Sequence, residues 1–134
     1  MSAVFLETSA LGRALFGEDG GPQISERLEQ ADSIVASRLL KVEAERAVLR
    51  HALDDPGFDS QVSEVDHELR DLWVRVNFIE ITREVCAEAG RIAPSVRLRA
   101  LDAIHLATFR LVQRIDPTIE MLTFDERLLE ATSP

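Results

Sequence analysis

Short apolar runs alternate with longer segments of helical periodicity along this chain of 134 residues. The apolar runs fall at Ala3 to Leu6, Ser33 to Ala36, Phe78 to Ile81 and Ile119 to Thr123. Each run suits a buried strand, and one or two helical segments separate it from the next. Crossovers of that kind join parallel strands. The pattern predicts an α/β fold with three α/β/α layers and a short parallel sheet of about four to five strands.

Helical spacing and turn residues define the predicted helices. The first ends at Phe16, and the others cover about 23–31, 38–53, 59–76, 82–92, 100–115 and 125–131. Ser37 and Thr82 suit the N-caps of two of them, and Asp116–Pro117 ends another. The length fits one compact domain, and no linker or repeat interrupts the chain. We therefore predict a single domain over residues 1–134.

Composition and charge narrow the class of protein. Hydrophobic residues make up 46% and charged residues 29% of the chain, as in a soluble globular protein. The formal net charge of −9 disfavours a broad basic surface for nucleic acid. Bound divalent cations invert the field around carboxylates, so a metal-dependent nuclease stays compatible with this charge. The most basic stretch contains Arg91, Arg97 and Arg99.

The sequence gives no sign of export, of a membrane anchor or of a disulfide framework. Glu7 ends the first apolar run, which no basic segment precedes. No window approaches the ~20 apolar residues of a membrane-spanning helix. The one cysteine, Cys86, excludes an internal disulfide and a cysteine-rich zinc site. We expect a cytoplasmic protein.

Two acids follow predicted strands, where open parallel sheets bind their ligands. Glu7 directly follows the first strand, and Asp125 lies two residues past the fourth. The alternative is that each caps the helix after it, where negative charge suits the helix dipole. For Glu7 this alternative is weaker, because Thr8 or Ser9 is a better N-cap than glutamate.

Two further acids lie on predicted helices. Glu43 falls within an apolar stripe, so it needs an ion pair with Arg46 or Arg50, or a bound cation. Asp102 lies in the first turn of its helix, and periodicity alone does not place it in a site. His105, one turn on, is interpreted as a hydrogen-bonded structural histidine, since no second histidine or cysteine stands at ligand spacing. An oxygen-only set of acids selects Mg²⁺ or Mn²⁺ over zinc.

Four blocks of sequence, in a fixed order along the chain, carry a family resemblance. They are FLETSAL at 5–11, VEAERA at 42–47, LRALDAIHLAT at 98–108 and TFD at 123–125. Together they resemble the PIN-domain ribonucleases, especially the VapC toxins of type II toxin–antitoxin pairs. The resemblance covers nearly the whole chain, and the third block is its most specific part.

The resemblance implies a metal-dependent endoribonuclease that cleaves cellular RNA. Its Mg²⁺ or Mn²⁺ site maps onto an acidic quartet formed by Glu7, Glu43, Asp102 and Asp125. The hydroxyl group of Thr8 or Ser9, together with that of Thr123, is expected to support the quartet through hydrogen bonds. A homodimer and a cognate VapB-like antitoxin are also implied. We expect RNA specificity to lie in loops and in the rim that carries Arg91, Arg97 and Arg99.

One residue departs from the family pattern. The first acid of the family is almost always Asp, whereas here it is Glu7, and the extra methylene displaces the carboxylate by about one C–C bond. An alternative is therefore a catalytically weakened or silent PIN-fold module that acts by binding protein or RNA. A receiver-type phosphoacceptor domain is a further alternative, but it needs a lysine late in the chain, and the one lysine is Lys41.

Overall fold

The computed structural model describes residues 2–132, and its strands form one parallel sheet. The strands are β1 (Ala3–Leu6), β2 (Ser33–Ser37), β3 (Val76–Ile79) and β4 (Glu120–Leu122). Their order is β3-β2-β1-β4, and each neighbouring pair is parallel. The predicted α/β fold with a short parallel sheet is confirmed.

Helices connect the strands and cover both faces of the sheet. They are α1 (Thr8–Leu15), α2 (Gly21–Gln30), α3 (Leu39–Asp54), α4 (Asp59–Arg75), α5 (Arg83–Ala89), α6 (Ala100–Ile115) and α7 (Glu126–Thr132). A short 3-10 turn, Pro56–Phe58, joins α3 to α4. Among the helices described, none has the length and apolarity that crossing a membrane requires.

Alternate strand residues feed two separate hydrophobic cores, because successive side chains of a strand point to opposite faces. Val4 and Leu6 of β1 lie in a core with buried residues of α1, α2, α3 and α4. Phe5 lies in the other core, with Leu106 of α6 and Leu128 of α7. The α/β/α layering follows from this alternation.

Several predicted boundaries differ from the structure by one to three residues, among them those of the third strand and of the helix that follows Thr82. The third strand was expected at Phe78 to Ile81, but β3 begins at Val76, which pairs with Ile34 of β2, and it ends at Ile79. The expected strand is therefore displaced by two residues. The helix capped by Thr82 ends at Ala89, before Ile92. Ile92 instead packs against the core formed by α6, α7 and the sheet.

Candidate active site

The carboxyl ends of β1 and β4 meet where the chain order of the sheet reverses. From β1 the chain continues to β2 and β3 on one side, and β4 lies on the other side. The backbone N–H of Glu7 donates to the carbonyl of Leu122 at 3.1 Å, which extends the pairing past β1. Open parallel sheets bind ligands at such a point. Glu7 and Thr123 thus leave the sheet beside each other.

Three hydrogen bonds converge on one oxygen of the Glu7 carboxylate. Its Oε2 accepts from the Ser9 N–H at 3.0 Å, from the Ser9 hydroxyl at 2.5 Å and from the Thr123 hydroxyl at 2.7 Å. The Phe124 N–H donates to Ser9 Oγ at 2.8 Å. The Asp125 N–H donates to Thr123 Oγ1 at 3.0 Å. Glu7 is only 4% exposed, and a carboxylate buried this deeply depends on such donors.

Glu7 is also the N-cap of α1. Its φ of −108° and ψ of 155° are the extended values of a cap residue, and its carboxylate accepts from the Ser9 N–H. The capping alternative, which the sequence made the weaker one for Glu7, is thus the one observed, and neither Thr8 nor Ser9 takes the N-cap position. The longer glutamate side chain folds back over the first turn, where the positive end of the helix dipole favours its charge.

Glu43 of α3 is held by two side chains from other elements. The Thr8 hydroxyl donates to Glu43 Oε1 at 2.6 Å, and Nε2 of His105 lies 2.5 Å from the same oxygen. The direct ion pair with Arg46 or Arg50 that the sequence left open is not formed. Arg50 acts on Glu43 only through longer-range electrostatics. The partner is a histidine on α6, which crosses the opposite face of the sheet from α3.

The pKa of Glu43 is lowered from its ordinary value, so the carboxylate is ionised at neutral pH. Burial alone raises this pKa, because the side chain is only 25% exposed. The hydrogen bonds from His105 and Thr8, with the electrostatic attraction of His105 and Arg50, outweigh burial. Glu43 is therefore a charged carboxylate at a half-buried position.

His105 is the hydrogen-bonded histidine that the sequence predicted. It is 1% exposed, and its Nε2 contacts Glu43 and, at 3.4 Å, the Thr8 hydroxyl. Its Nδ1 is buried without a hydrogen-bond partner among the described residues. The sequence did not predict that the bond would be to Glu43.

The last two acids of the predicted quartet lie at helix starts. Asp102 is 8% exposed, and its Oδ2 lies 3.4 Å from Nε of Arg99. Asp125 caps α7, since its Oδ1 accepts from the N–H groups of Arg127 at 2.9 Å and Leu128 at 3.2 Å. The capping alternative for Asp125 is confirmed, and the residue still lies at the carboxyl edge of β4.

The donor set has the chemistry of a hard-cation site. Each acid of the predicted quartet, Glu7, Glu43, Asp102 and Asp125, bonds to the protein through one oxygen. Within residues 2–132, no hydrogen bond reaches the other oxygen of any of them. In the same range, no three Asp, Glu, His or Cys side chains lie close enough together to hold one ion. Mg²⁺ is often held by one or two carboxylates, with water and substrate phosphate completing its shell.

A groove beside Thr8 and Ser9 contains cations outside the predicted rim of Arg91, Arg97 and Arg99. Thr8 and Ser9 line it together with Arg13 of α1 and Arg50 of α3. The Arg13 guanidinium lies 4.6 Å from the ring centroid of Phe124, which is 37% exposed. Helical spacing could have indicated Arg13, because it lies four residues after Ser9 on the same helix face.

The predicted basic rim lies at the start of α6. Arg91 and Arg97 are exposed, and Arg99 immediately precedes α6 beside Asp102. Of the three, Arg99 is thus in contact with a quartet acid. The same segment contains Ala93, with a φ of +46°.

Comparison with known proteins assigns the family. The family model of the PIN domain matches residues 4–133. The chain belongs to the PIN-domain family. Ribonuclease VapC49 of Mycobacterium tuberculosis H37Rv is 29% identical over 128 residues, 96% of this chain and 88% of the relative. Ribonuclease VapC35 of the same strain is 30% identical over 130 residues, with the same two coverages. The expected membership of the VapC-type PIN-domain ribonucleases is confirmed.

Solved structures share the fold of this PIN-domain protein. PAE2754 from Pyrobaculum aerophilum superposes with a TM-score of 0.70 and 17% identity, covering 98% of this chain and 86% of the other. A toxin–antitoxin complex from Klebsiella pneumoniae contains a chain with a TM-score of 0.61 and 19% identity, at coverages of 92% and 87%. These likenesses agree with the sheet order and layering described above.

Proposed function

We propose that this PIN-domain protein is a metal-dependent endoribonuclease that acts as a toxin and is restrained by a cognate VapB-like antitoxin. Its curated relatives carry the name ribonuclease, and a structural neighbour is a toxin–antitoxin complex. The observation that carries the proposal is Glu43, an ionised and half-buried carboxylate that Thr8 and His105 fix through Oε1. Its second oxygen, Oε2, accepts no hydrogen bond from residues 2–132 and is left for a ligand.

In this proposal Mg²⁺ or Mn²⁺ is held by Glu43 and Asp102, with Glu7 and Asp125 completing the acidic set. When bound, such an ion polarises the scissile phosphate and makes a water molecule more acidic. The side chains of the protein bind the ion and orient its carboxylate ligands. Glu43 is ionised before the ion arrives, because its bonds to His105 and Thr8 lower its pKa.

The hydroxyl groups of Thr8, Ser9 and Thr123 hold two carboxylates of the proposed site through hydrogen bonds. Thr8 donates to Glu43, and Ser9 and Thr123 donate to Glu7. Each hydroxyl therefore limits the rotation of one carboxylate. Rigid carboxylates lose little freedom when they bind an ion, and this favours affinity.

The RNA strand is proposed to follow the groove lined by Arg13 and Arg50, with the partly exposed ring of Phe124 beside the Arg13 guanidinium. Guanidinium groups bind phosphate, and aromatic faces stack on unpaired bases. Arg99 lies beside Asp102. Together with Arg13 and Arg50, it offers local cations that allow an anionic chain to approach a protein whose net charge is −9.

Cleavage of single-stranded RNA tests the proposal. The wild type is expected to cut RNA with Mg²⁺ or Mn²⁺ and to stop when EDTA is added. Asp102→Asn is expected to lower the rate by at least about 10- to 100-fold, because losing a ligand costs no less than losing a group that orients one. Asp66→Asn, on the exposed side of α4, is the matched control and keeps the wild-type rate. A wild-type rate in Asp102→Asn would contradict the proposal.

A second candidate is a silent PIN-fold module that binds protein or RNA. The position of Glu7 favours it, because this carboxylate caps α1 and engages Ser9 and Thr123. Such a module does not bind Mn²⁺ specifically but still binds its protein or RNA partner. The homodimer implied by the resemblance also stays a prediction, which light scattering on the purified protein tests.

A further inference from the structure

We propose that His105 is a positioning residue for catalysis: its Nε2–H fixes one oxygen of Glu43 and so keeps the other oxygen available to the ion. This inference rests on the proposed function, because it concerns one of the same carboxylates. The buried histidine thereby orients Glu43 as well as stabilising its charge.

The contact is direct and comes from outside the helix that carries Glu43. Nε2 of His105 and the hydroxyl of Thr8 both lie at Glu43 Oε1, at 2.5 Å and 2.6 Å. Two anchors on one oxygen fix the rotation of the carboxylate about its last C–C bond. The second oxygen, Oε2, accepts no hydrogen bond from residues 2–132. The pair therefore selects which oxygen remains for a ligand.

The hydrogen-bond pattern assigns the proton to Nε2. The ionised carboxylate of Glu43 only accepts, and the Thr8 hydroxyl already donates its proton to it. Nε2 must therefore be the donor in its contact with Oε1. The second nitrogen, Nδ1, is buried and has no partner in the described part of the chain.

Packing alone does not account for this side chain. His105 is 1% exposed, and a leucine would fill a similar volume without leaving a buried nitrogen unpaired. The polar atoms that its ring contacts belong to Glu43 and Thr8. The polar contact of the ring that its burial has to compensate is therefore the one with Glu43. The same orientation leaves Nδ1 without a hydrogen-bond partner among the described residues.

The position of His105 on α6 links two of the proposed ligands. Asp102 lies three residues earlier, so both residues occupy one face of the helix near its start. One helix thus carries an acid of the quartet and the group that orients another acid, on α3. Metal-binding carboxylates commonly depend on such outer hydrogen bonds, and loss of a partner lowers affinity or activity by about 10- to 100-fold.

Three substitutions at position 105 separate positioning from packing. In His105→Gln the amide nitrogen reaches the place of Nε2, in His105→Asn it falls short, and in His105→Leu no donor remains. Mn²⁺ affinity is measured by isothermal titration, and kcat and KM are measured on a fluorescent RNA. His67→Leu is the matched control, because His67 lies exposed on α4 beside Asp71.

We expect His105→Leu and His105→Asn to lose about 10- to 100-fold in Mn²⁺ affinity and in kcat, with KM for RNA unchanged. His105→Gln keeps most of both, and His67→Leu equals the wild type. Equal values for His105→Gln and His105→Asn, or wild-type affinity and kcat in a folded His105→Leu protein, would overturn the inference. If His105→Leu does not fold, the comparison of His105→Gln with His105→Asn decides.

Proton NMR of the ion-free protein tests the contact independently of catalysis. The wild type is expected to show a downfield, slowly exchanging resonance from the His105 Nε2–H, and Glu43→Gln moves it upfield. No shift on Glu43→Gln would contradict the positioning contact. A wild type that shows this resonance but neither binds Mn²⁺ nor cleaves RNA would contradict the proposed function and leave the contact intact.

Discussion

Replacing Thr123 by valine tests the hydrogen-bond network that holds Glu7. Thr123 is buried, donates to Glu7 Oε2 at 2.7 Å and accepts from the Asp125 N–H at 3.0 Å. Valine has almost the same shape, so Thr123→Val removes both hydrogen bonds without opening a cavity. Glu7 keeps its two bonds from Ser9, so the fold survives.

The expected loss follows from the strength of the two bonds at Thr123. A hydrogen bond to a charged group contributes about 1.5–3 kcal/mol. The N–H of Asp125 is partly exposed, so water replaces its lost acceptor at small cost. Thr123→Val is therefore expected to lower the free energy of unfolding by about 2 kcal/mol. For a domain of this size, that change lowers Tm by about 8 °C.

Urea unfolding followed by circular dichroism measures this loss. Thr123→Ser is the control, because it keeps the hydroxyl and loses one methyl group, for about 0.8 kcal/mol or less. A double-mutant cycle with Glu7→Gln is expected to give a coupling energy of about 1 kcal/mol. If Thr123→Val were as stable as the wild type, or its coupling to Glu7 were zero, the network would not hold the carboxylate as described.

Three further predictions concern stability and RNA binding. Because the folded protein lowers the pKa of Glu43, its charge stabilises the fold above the ordinary pKa of 4.5, and this contribution disappears as pH falls through the lowered value. The free energy of unfolding should therefore decrease less steeply with falling pH below about pH 4.5 in Glu43→Gln than in the wild type. Urea unfolding at a series of pH values measures this slope. Gly12→Ala, on the open side of α1, should raise the free energy of unfolding by about 0.5–1 kcal/mol. Gly20→Ala should lower it by at least about 1 kcal/mol, because the φ of Gly20 is +85°. Replacing Arg13 and Arg50 together by Gln should reduce the steepness of the log–log salt dependence of RNA binding, measured by anisotropy, by about 1.4. Equal thermal stabilities of the two alanine variants, or an unchanged salt slope, would contradict these two expectations.

The sheet could be predicted from sequence because its central strands, β1 and β2, are almost wholly buried. Apolar runs such as Ala3 to Leu6 leave a strong signal, and the helices between them fix parallel pairing. The displaced boundary of β3 has a physical cause. In the sequence, Val76 continues the helical spacing of the apolar residues of α4, so it is predicted as helical. In the structure it begins β3 and pairs with Ile34.

The contacts of the predicted site residues could not be predicted from sequence. Glu43 needed a compensating partner, and local spacing favoured Arg46 or Arg50, whereas the observed partner lies 62 residues away in sequence. Only the packing of α3 and α6 against the sheet brings His105 to that place. The capping role of Glu7 was the weaker alternative because the propensity of glutamate for that position is low, and the donors Ser9 and Thr123 outweigh this low propensity.

Isothermal titration of the ion-free protein with Mn²⁺ tests most directly whether the four carboxylates bind a divalent cation. We predict saturable binding by the wild type, weakened by about 10-fold or more in Glu43→Gln and in Asp102→Asn and unchanged in Asp66→Asn. The account would be contradicted if the wild type released or absorbed no heat of specific Mn²⁺ binding, or if all of these proteins bound Mn²⁺ with the same affinity.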